Sequence, residues 1–153
     1  MTSDLEAAAP GGLAGTPALR VPATLDRLDA VAEFVLCHGA RAGLGEEALY
    51  RLRLAADELA TNIVVHGYRG APGEITVDAG AAPDRVWVRF TDTAPPFDPR
   101  AGMRPPDLET PLAERPLGGL GVYLALTAVD TFEYELAAGR NVCTLGMRRP
   151  AAE

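Results

Sequence analysis

The chain has 153 residues, 48% of them hydrophobic, which is enough for one good core and reads as one domain. Its net charge of -7 and pI near 4.8 argue against nucleic acid or an anionic membrane as the main partner. Every basic residue is arginine, so a P-loop, a eukaryotic-type kinase with its strand lysine, and Schiff-base chemistry are all excluded.

Residues 1–17 are rich in Ala, Gly and Pro, carry no periodicity and read as a flexible tail; the folded domain is expected over 18–149. A short first strand is expected at 18–22. A helix follows from 25 to about 42, with Thr24 as its N-cap and Leu25, Leu28, Val31, Ala32, Val35 and Leu36 on its apolar face. The second helix is expected from about 46 to 66. Leu49, Leu52, Ala56, Leu59 and Ile63 step by three and four residues to form a buried stripe, and Gly67 and Gly70 stop the run. Alternation then predicts strands at 74–78 and 85–92. The stretch 94–116 holds seven of the chain's 13 prolines and has no periodicity, the signature of a functional or disordered loop. A helix from about 119 to 129 and a hairpin of strands at 131–136 and 141–148 complete the chain. The order predicts an α+β fold, a two-layer α/β sandwich with a mostly antiparallel, mixed sheet and helices on one face.

Further absences narrow the chemistry. The only serine is Ser3, in the expected tail, which argues against a serine-nucleophile hydrolase, and two histidines with two scattered cysteines make a poor zinc site. No apolar run reaches membrane-spanning length, and residues at the start show no basic segment followed by an apolar one. Cys37 and Cys143, far apart and without a CxxC pattern, read as two buried thiols in a reducing cytoplasm, and the protein is expected to be cytoplasmic.

Three segments about thirty residues apart carry the chemistry. Asp57-Glu58-Leu59-Ala60-Thr61-Asn62 leads into His66-Gly67-Tyr68 on a helix. Asp92-Thr93-Ala94-Pro95-Pro96-Phe97-Asp98-Pro99 ends a strand, and Leu117-Gly118-Gly119-Leu120-Gly121 opens a helix. Glu58, Asn62 and His66 stand at i, i+4 and i+8 and line up along one face beside the buried stripe. A glycine cluster at a helix start offers bare amides and partial positive charge to a phosphate. In this order the segments resemble the N, G1 and G2 boxes of the GHKL superfamily, the Bergerat or histidine-kinase-like ATPase fold. Within it they resemble the RsbW-like anti-sigma-factor serine/threonine-protein kinase branch, over about 18–149.

The resemblance implies ATP and Mg²⁺ as ligands. Asn62 would hold the Mg²⁺ through its amide oxygen, a suitable hard donor. Glu58 would be the catalytic base of phosphoryl transfer, and His66 would close the pocket near the phosphates. Asp92 would accept the adenine amine. Ala94 stands where the family has a glycine and adds one methyl there. Gly118, Gly119, Leu120 and Gly121 would cradle phosphate, with Arg115 as the arginine at the γ-phosphate and Arg100 or Arg104 as substitutes. The ATP lid would span about 94–117, with Phe97 as a hydrophobic plug beneath it.

By the same resemblance, the partners would be a sigma factor and a STAS-domain anti-sigma factor antagonist, in a bacterial partner switch. Homodimerisation is a family expectation, and neither direct nucleic-acid binding nor a membrane is implied. A second reading is a nucleotide-binding docking regulator without significant kinase activity. A detached histidine-kinase domain would need a phospho-acceptor histidine that His38 is poorly placed to supply, and a hydrolytic machine would need a further domain to couple hydrolysis to motion.

Overall fold

A computed structural model describes residues 18–102 and 120–150. Five strands form one sheet in the order β1-β2-β3-β5-β4: β1 Leu19–Pro22, β2 Glu74–Ala82, β3 Arg85–Asp92, β4 Thr131–Ala137 and β5 Arg140–Arg148. All four pairings are antiparallel, with no parallel pair among the described strands to make the sheet mixed. Three helices lie on one face: α1 Leu28–Arg41, α2 Glu46–Asn62 and α3 Leu120–Ala128. The α+β sandwich predicted from the pattern is the observed architecture.

The strand period of two explains the layering. Ile75, Val77, Val86, Val88, Phe90, Cys143, Leu145 and Met147 are in register on the helix-covered face, and each is almost wholly buried. Leu52, Ala55, Ala56, Leu59 and Ala60 of α2 pack down on them, and Val31 and Val35 of α1 close the layer. Burying each large aliphatic chain contributes about 1.5–3 kcal/mol, so this seam is the main support of the fold. Arg51 of α2 ties two neighbouring helices together: its Nε–H donates to the Ala128 carbonyl at 2.8 Å, satisfying one of the open carbonyls at the end of α3.

Local chemistry departs from the expected elements in four places. Residues Leu25–Arg27 form a 3-10 turn ahead of α1, which takes Leu25 off the apolar face and leaves it 59% exposed. Thr24 precedes that turn but makes no side-chain capping bond. The second helix stops being α-helical at Asn62, and Ile63–Tyr68 continues as a π turn. Gly67 lies inside this turn; the helical run is ended by Arg69 and Gly70, both with positive φ. Cys37 follows Glu33 by four residues on the outer side of α1 and is exposed, so only Cys143 is a buried thiol; both are free.

The hairpin between β4 and β5 is tighter than expected. Ala138 (φ 52°) and Gly139 (φ 77°) both adopt left-handed conformations, as a two-residue turn matching the strand twist requires. Among the described residues no helix is long and apolar enough to cross a membrane. The expected tail 1–17 and most of the lid, from 103 onward, lie outside the described residues.

Candidate nucleotide-binding site

The site forms where α2, the π turn, the end of β3 and the start of β5 converge. Asn62, Ile63, Gly67, Asp92, Ala94, Phe97 and Asn141 line a cavity of about 10 Å3, with Pro95, Pro99 and Cys143 completing it. The first two expected boxes therefore meet in space. From the third, Gly121 is brought beside Glu58, and Leu120 opens α3. Arg104, Arg115, Gly118 and Gly119 lie outside the described residues.

The π turn decides which side chains face this cavity. In an α-helix His66 would stand directly above Asn62, at i+4; hydrogen bonding to i+5 widens the turn and brings Gly67 there instead. His66 is exposed and is not among the cavity-lining residues, so the straight row of Glu58, Asn62 and His66 expected from helical spacing stops at Asn62. A Cβ on Gly67 would come within 3.3 Å of the Ala94 Cβ. Glycine at 67 thus leaves room for the extra methyl of Ala94.

Asp92 is 4% exposed at the end of β3. Its Oδ1 accepts the Ala94 amide at 3.0 Å and the Asn141 Nδ2–H at 2.9 Å. Burial pushes its carboxyl above the usual range, while these two donors pull the other way. A buried carboxylate with one oxygen already bound has its second oxygen to offer to an amine. Cys143 beside it is pushed up to about 12 by burial and by the neighbouring carboxylates Asp92 and Asp98, so it is an inert thiol at neutral pH.

Asn141 was not among the residues singled out from the sequence. Its amide also donates to the Ala94 carbonyl at 3.0 Å and the Pro95 carbonyl at 3.3 Å. Its oxygen accepts the Phe97 amide at 3.1 Å and the Tyr134 hydroxyl at 2.6 Å. The one sequence signal was a polar residue in an otherwise apolar strand position; its register partner, Asp92, is known only from the sheet. Tyr68 was noted only as the end of a motif. Its hydroxyl donates to the Glu74 carbonyl at 2.7 Å and accepts the Thr93 amide at 2.9 Å, tying the π turn to the segment after Asp92.

Glu58 and Asn62 occupy successive turns of α2. The carboxamide of Asn62 is 9% exposed, lines the cavity and has no hydrogen-bond partner among the described residues. Such an amide oxygen fits a cation that keeps most of its waters, and no cluster of three acidic, His or Cys side chains competes for a metal among the described residues. Glu58 packs its carboxylate against Gly121 in the first turn of α3. Asp57, one residue earlier, turns outward to pair with Arg53 at 3.4 Å. Arg100 is held by Asp98 at 2.6 Å and lies over the Phe132 ring at 5.6 Å. Serving a phosphate would require it to leave both contacts.

Asn62 on the helix and the buried Asp92 at the strand end thus line one cavity between the helix and two antiparallel strands. The family model for the histidine kinase-like ATPase domain matches residues 21–147. The chain belongs to that family.

Among curated relatives it is similar to the serine-protein kinase RsbW of Bacillus cereus (strain B4264), with 31% identity over 105 residues. That alignment covers 67% of this chain and 66% of the relative. RsbW of Bacillus mycoides (strain KBAB4) is 30% identical over the same length. The chain thus spans just under two thirds of the length of these relatives. A solved structure of RsbU and RsbW domains from Mycobacterium tuberculosis shares the fold, with a TM-score of 0.54 and 19% identity, covering 88% of this chain and 34% of that one. Membership of this family implies ATP binding.

Proposed function

We propose that this protein is an ATP-dependent serine/threonine-protein kinase and anti-sigma factor of the RsbW type, which phosphorylates a STAS-domain antagonist. The observation that carries this reading is Glu58, a half-buried carboxylate packed against the start of α3 one turn before the pocket-lining amide of Asn62. A binding module that only docks would have no need of an acidic side chain there.

In this reading Asp92 selects adenine by accepting its exocyclic amine through the oxygen left open by Ala94 and Asn141. Asn62 would hold Mg²⁺, which supplies charge neutralisation on the phosphates when bound. Glu58 accepts the proton of the attacking hydroxyl, and phosphoryl transfer asks little else of the protein than positioning and charge stabilisation. The amides of Gly118, Gly119, Leu120 and Gly121 would receive phosphate oxygens at the start of α3, with Arg115 at the γ-phosphate and His66 at the outer rim. The partners would be a sigma factor, the STAS-domain antagonist and a second copy of the chain, in the cytoplasm.

Isothermal titration with ATP and Mg²⁺, with GTP as control, tests the reading. Magnesium-dependent binding in the micromolar range that prefers adenine supports it, and transfer of label from ATP to a STAS-domain protein completes it. Binding without any transfer favours the docking regulator, for which Arg100 held by Asp98 and Phe132 is the supporting observation. No binding to either nucleotide overturns both.

A further inference from the structure

The Asn141 side chain uses all of its hydrogen-bonding capacity. Two amide protons are shared among Asp92 Oδ1, the Ala94 carbonyl and the Pro95 carbonyl, and the amide oxygen receives the Phe97 N–H and the Tyr134 O–H. Nothing in adenine selection by Asp92 requires three of those five contacts to fall on the segment Ala94–Phe97. That segment forms the outer wall of the cavity, which at about 10 Å3 has space for about one water. Ligand sites usually offer about 300–1,000 Å3. This cavity itself, walled by Ala94, Pro95 and Phe97 in this position, has no room for a purine.

The segment is short, stiff and tied at both ends. Pro95 and Pro96 fix two of its φ angles. It is held at one end where Thr93 donates to Tyr68, and at the other where Asp98 accepts the Arg100 amide at 3.0 Å and its guanidinium. Between those two anchors, the side-chain bonds that fasten it inward run to Asn141 and, at Ala94, to Asp92. An aspartate at 141 would lack the amide donors, and a threonine would have only one, so neither could hold a carboxylate and two carbonyls while accepting two donors.

We propose that Asn141 is a positioning residue that latches the Ala94–Phe97 strap over the base pocket, so that opening at Asn141 governs entry and release of the nucleobase. The inference rests on the nucleotide-binding reading above. Tyr134 is the remote support of the latch. It lies on the edge strand, does not line the cavity, and holds the Asn141 oxygen in place.

Amide hydrogen exchange in the full chain without nucleotide measures the strap directly. Tyr134→Phe removes one donor to Asn141 and should speed exchange at the Phe97 amide about three- to tenfold, the effect of one hydrogen bond. Asn141→Ala should speed it further and expose the Ala94 amide as well. The amides of Val88 and Leu145 in the sheet should not change, which separates an opened strap from a loosened fold. Stopped-flow binding of a fluorescent ATP analogue should then show association and dissociation both faster in Tyr134→Phe, with affinity moving less than either rate. Unchanged strap exchange in a protein that binds nucleotide overturns the latch alone, even if Asn141→Ala fails to fold, because Tyr134→Phe keeps the core intact. Absence of nucleotide binding by the wild type overturns the reading beneath it.

Discussion

The Glu58 carboxylate lies so close to Gly121 that a methyl group on residue 121 would overlap its Oε2. A side chain at residue 121 would make the flexible end of Glu58 shift, so the present position of the candidate base depends on the glycine.

Gly121→Ala should accordingly push Glu58 out of place. Alanine favours a helix over glycine by about 0.8–1 kcal/mol, so α3 itself gains. The expected result is a folded protein that still binds ATP but transfers phosphate about tenfold to a hundredfold more slowly. Glu58→Gln should bind ATP as well as the wild type and lose about 10²- to 10⁴-fold in transfer. Steady-state kinetics with a STAS-domain acceptor checks both, and full activity in Glu58→Gln would remove Glu58 from the role of base.

Asn62 has a different signature. Asn62→Ala should abolish the magnesium-dependent part of ATP affinity, a loss of about tenfold or more, while leaving metal-free binding little changed. Titrations with and without Mg²⁺ separate the two. An unaltered magnesium effect would place the metal elsewhere.

Asp92 sets recognition against stability. Its carboxyl titrates above the ordinary range because burial penalises its charge. As pH falls from neutral, the folded protein takes up this proton before the unfolded chain does, so the cost of the buried charge is relieved between the raised value and the ordinary carboxylate value of 3.8. Asp92→Asn should keep both accepted bonds through its amide oxygen and raise the unfolding midpoint in urea at pH 7. That gain should shrink as pH falls through the raised value. Its preference for adenine over guanine should fall by at least about a hundredfold. A variant no more stable at pH 7 than the wild type would show that the buried charge carries no penalty.

His38 should give an acid-sensitive fold with the opposite sign. Its Nε2–H donates to the Gly80 carbonyl at 3.1 Å, while Nδ1 is buried without a partner among the described residues, and burial lowers its pKa from 6.5. The unfolded chain therefore takes up the proton first. Stability is constant well above 6.5 and falls as pH drops below it toward the lower folded value. His38→Gln, which can still donate to Gly80, should flatten that fall in urea melts taken across the range. An equally steep decline in the variant would assign the sensitivity to other groups.

The chain's periodicities carried the fold a long way. Strand alternation at 85–92 and the three- and four-residue steps from Leu52 to Ile63 are local consequences of which side chains must leave water, and both elements form as read. The positions of Asp92 and of the pocket-facing Asn62 follow from the same patterns. Where the helix departs from regular geometry, or residue type and helical face disagree, the pattern as read was not enough. His66 sits at the right spacing for an α-helix, but the π turn brings Gly67 to the cavity. Cys37 reads as apolar, yet it falls on the outer side of its helix.

By itself, then, the sequence determined the element order and the seam of the core, because burial and helical or strand period act over a few residues at a time. Only the tertiary structure decided that Asn141 meets Asp92 and the strap across 49 positions of chain, and that Gly121 must lack a side chain for Glu58 to sit where it does. Those relationships are set by strand register and helix packing. They depend on how the whole sheet and its helices come together, which no short stretch of residues encodes alone.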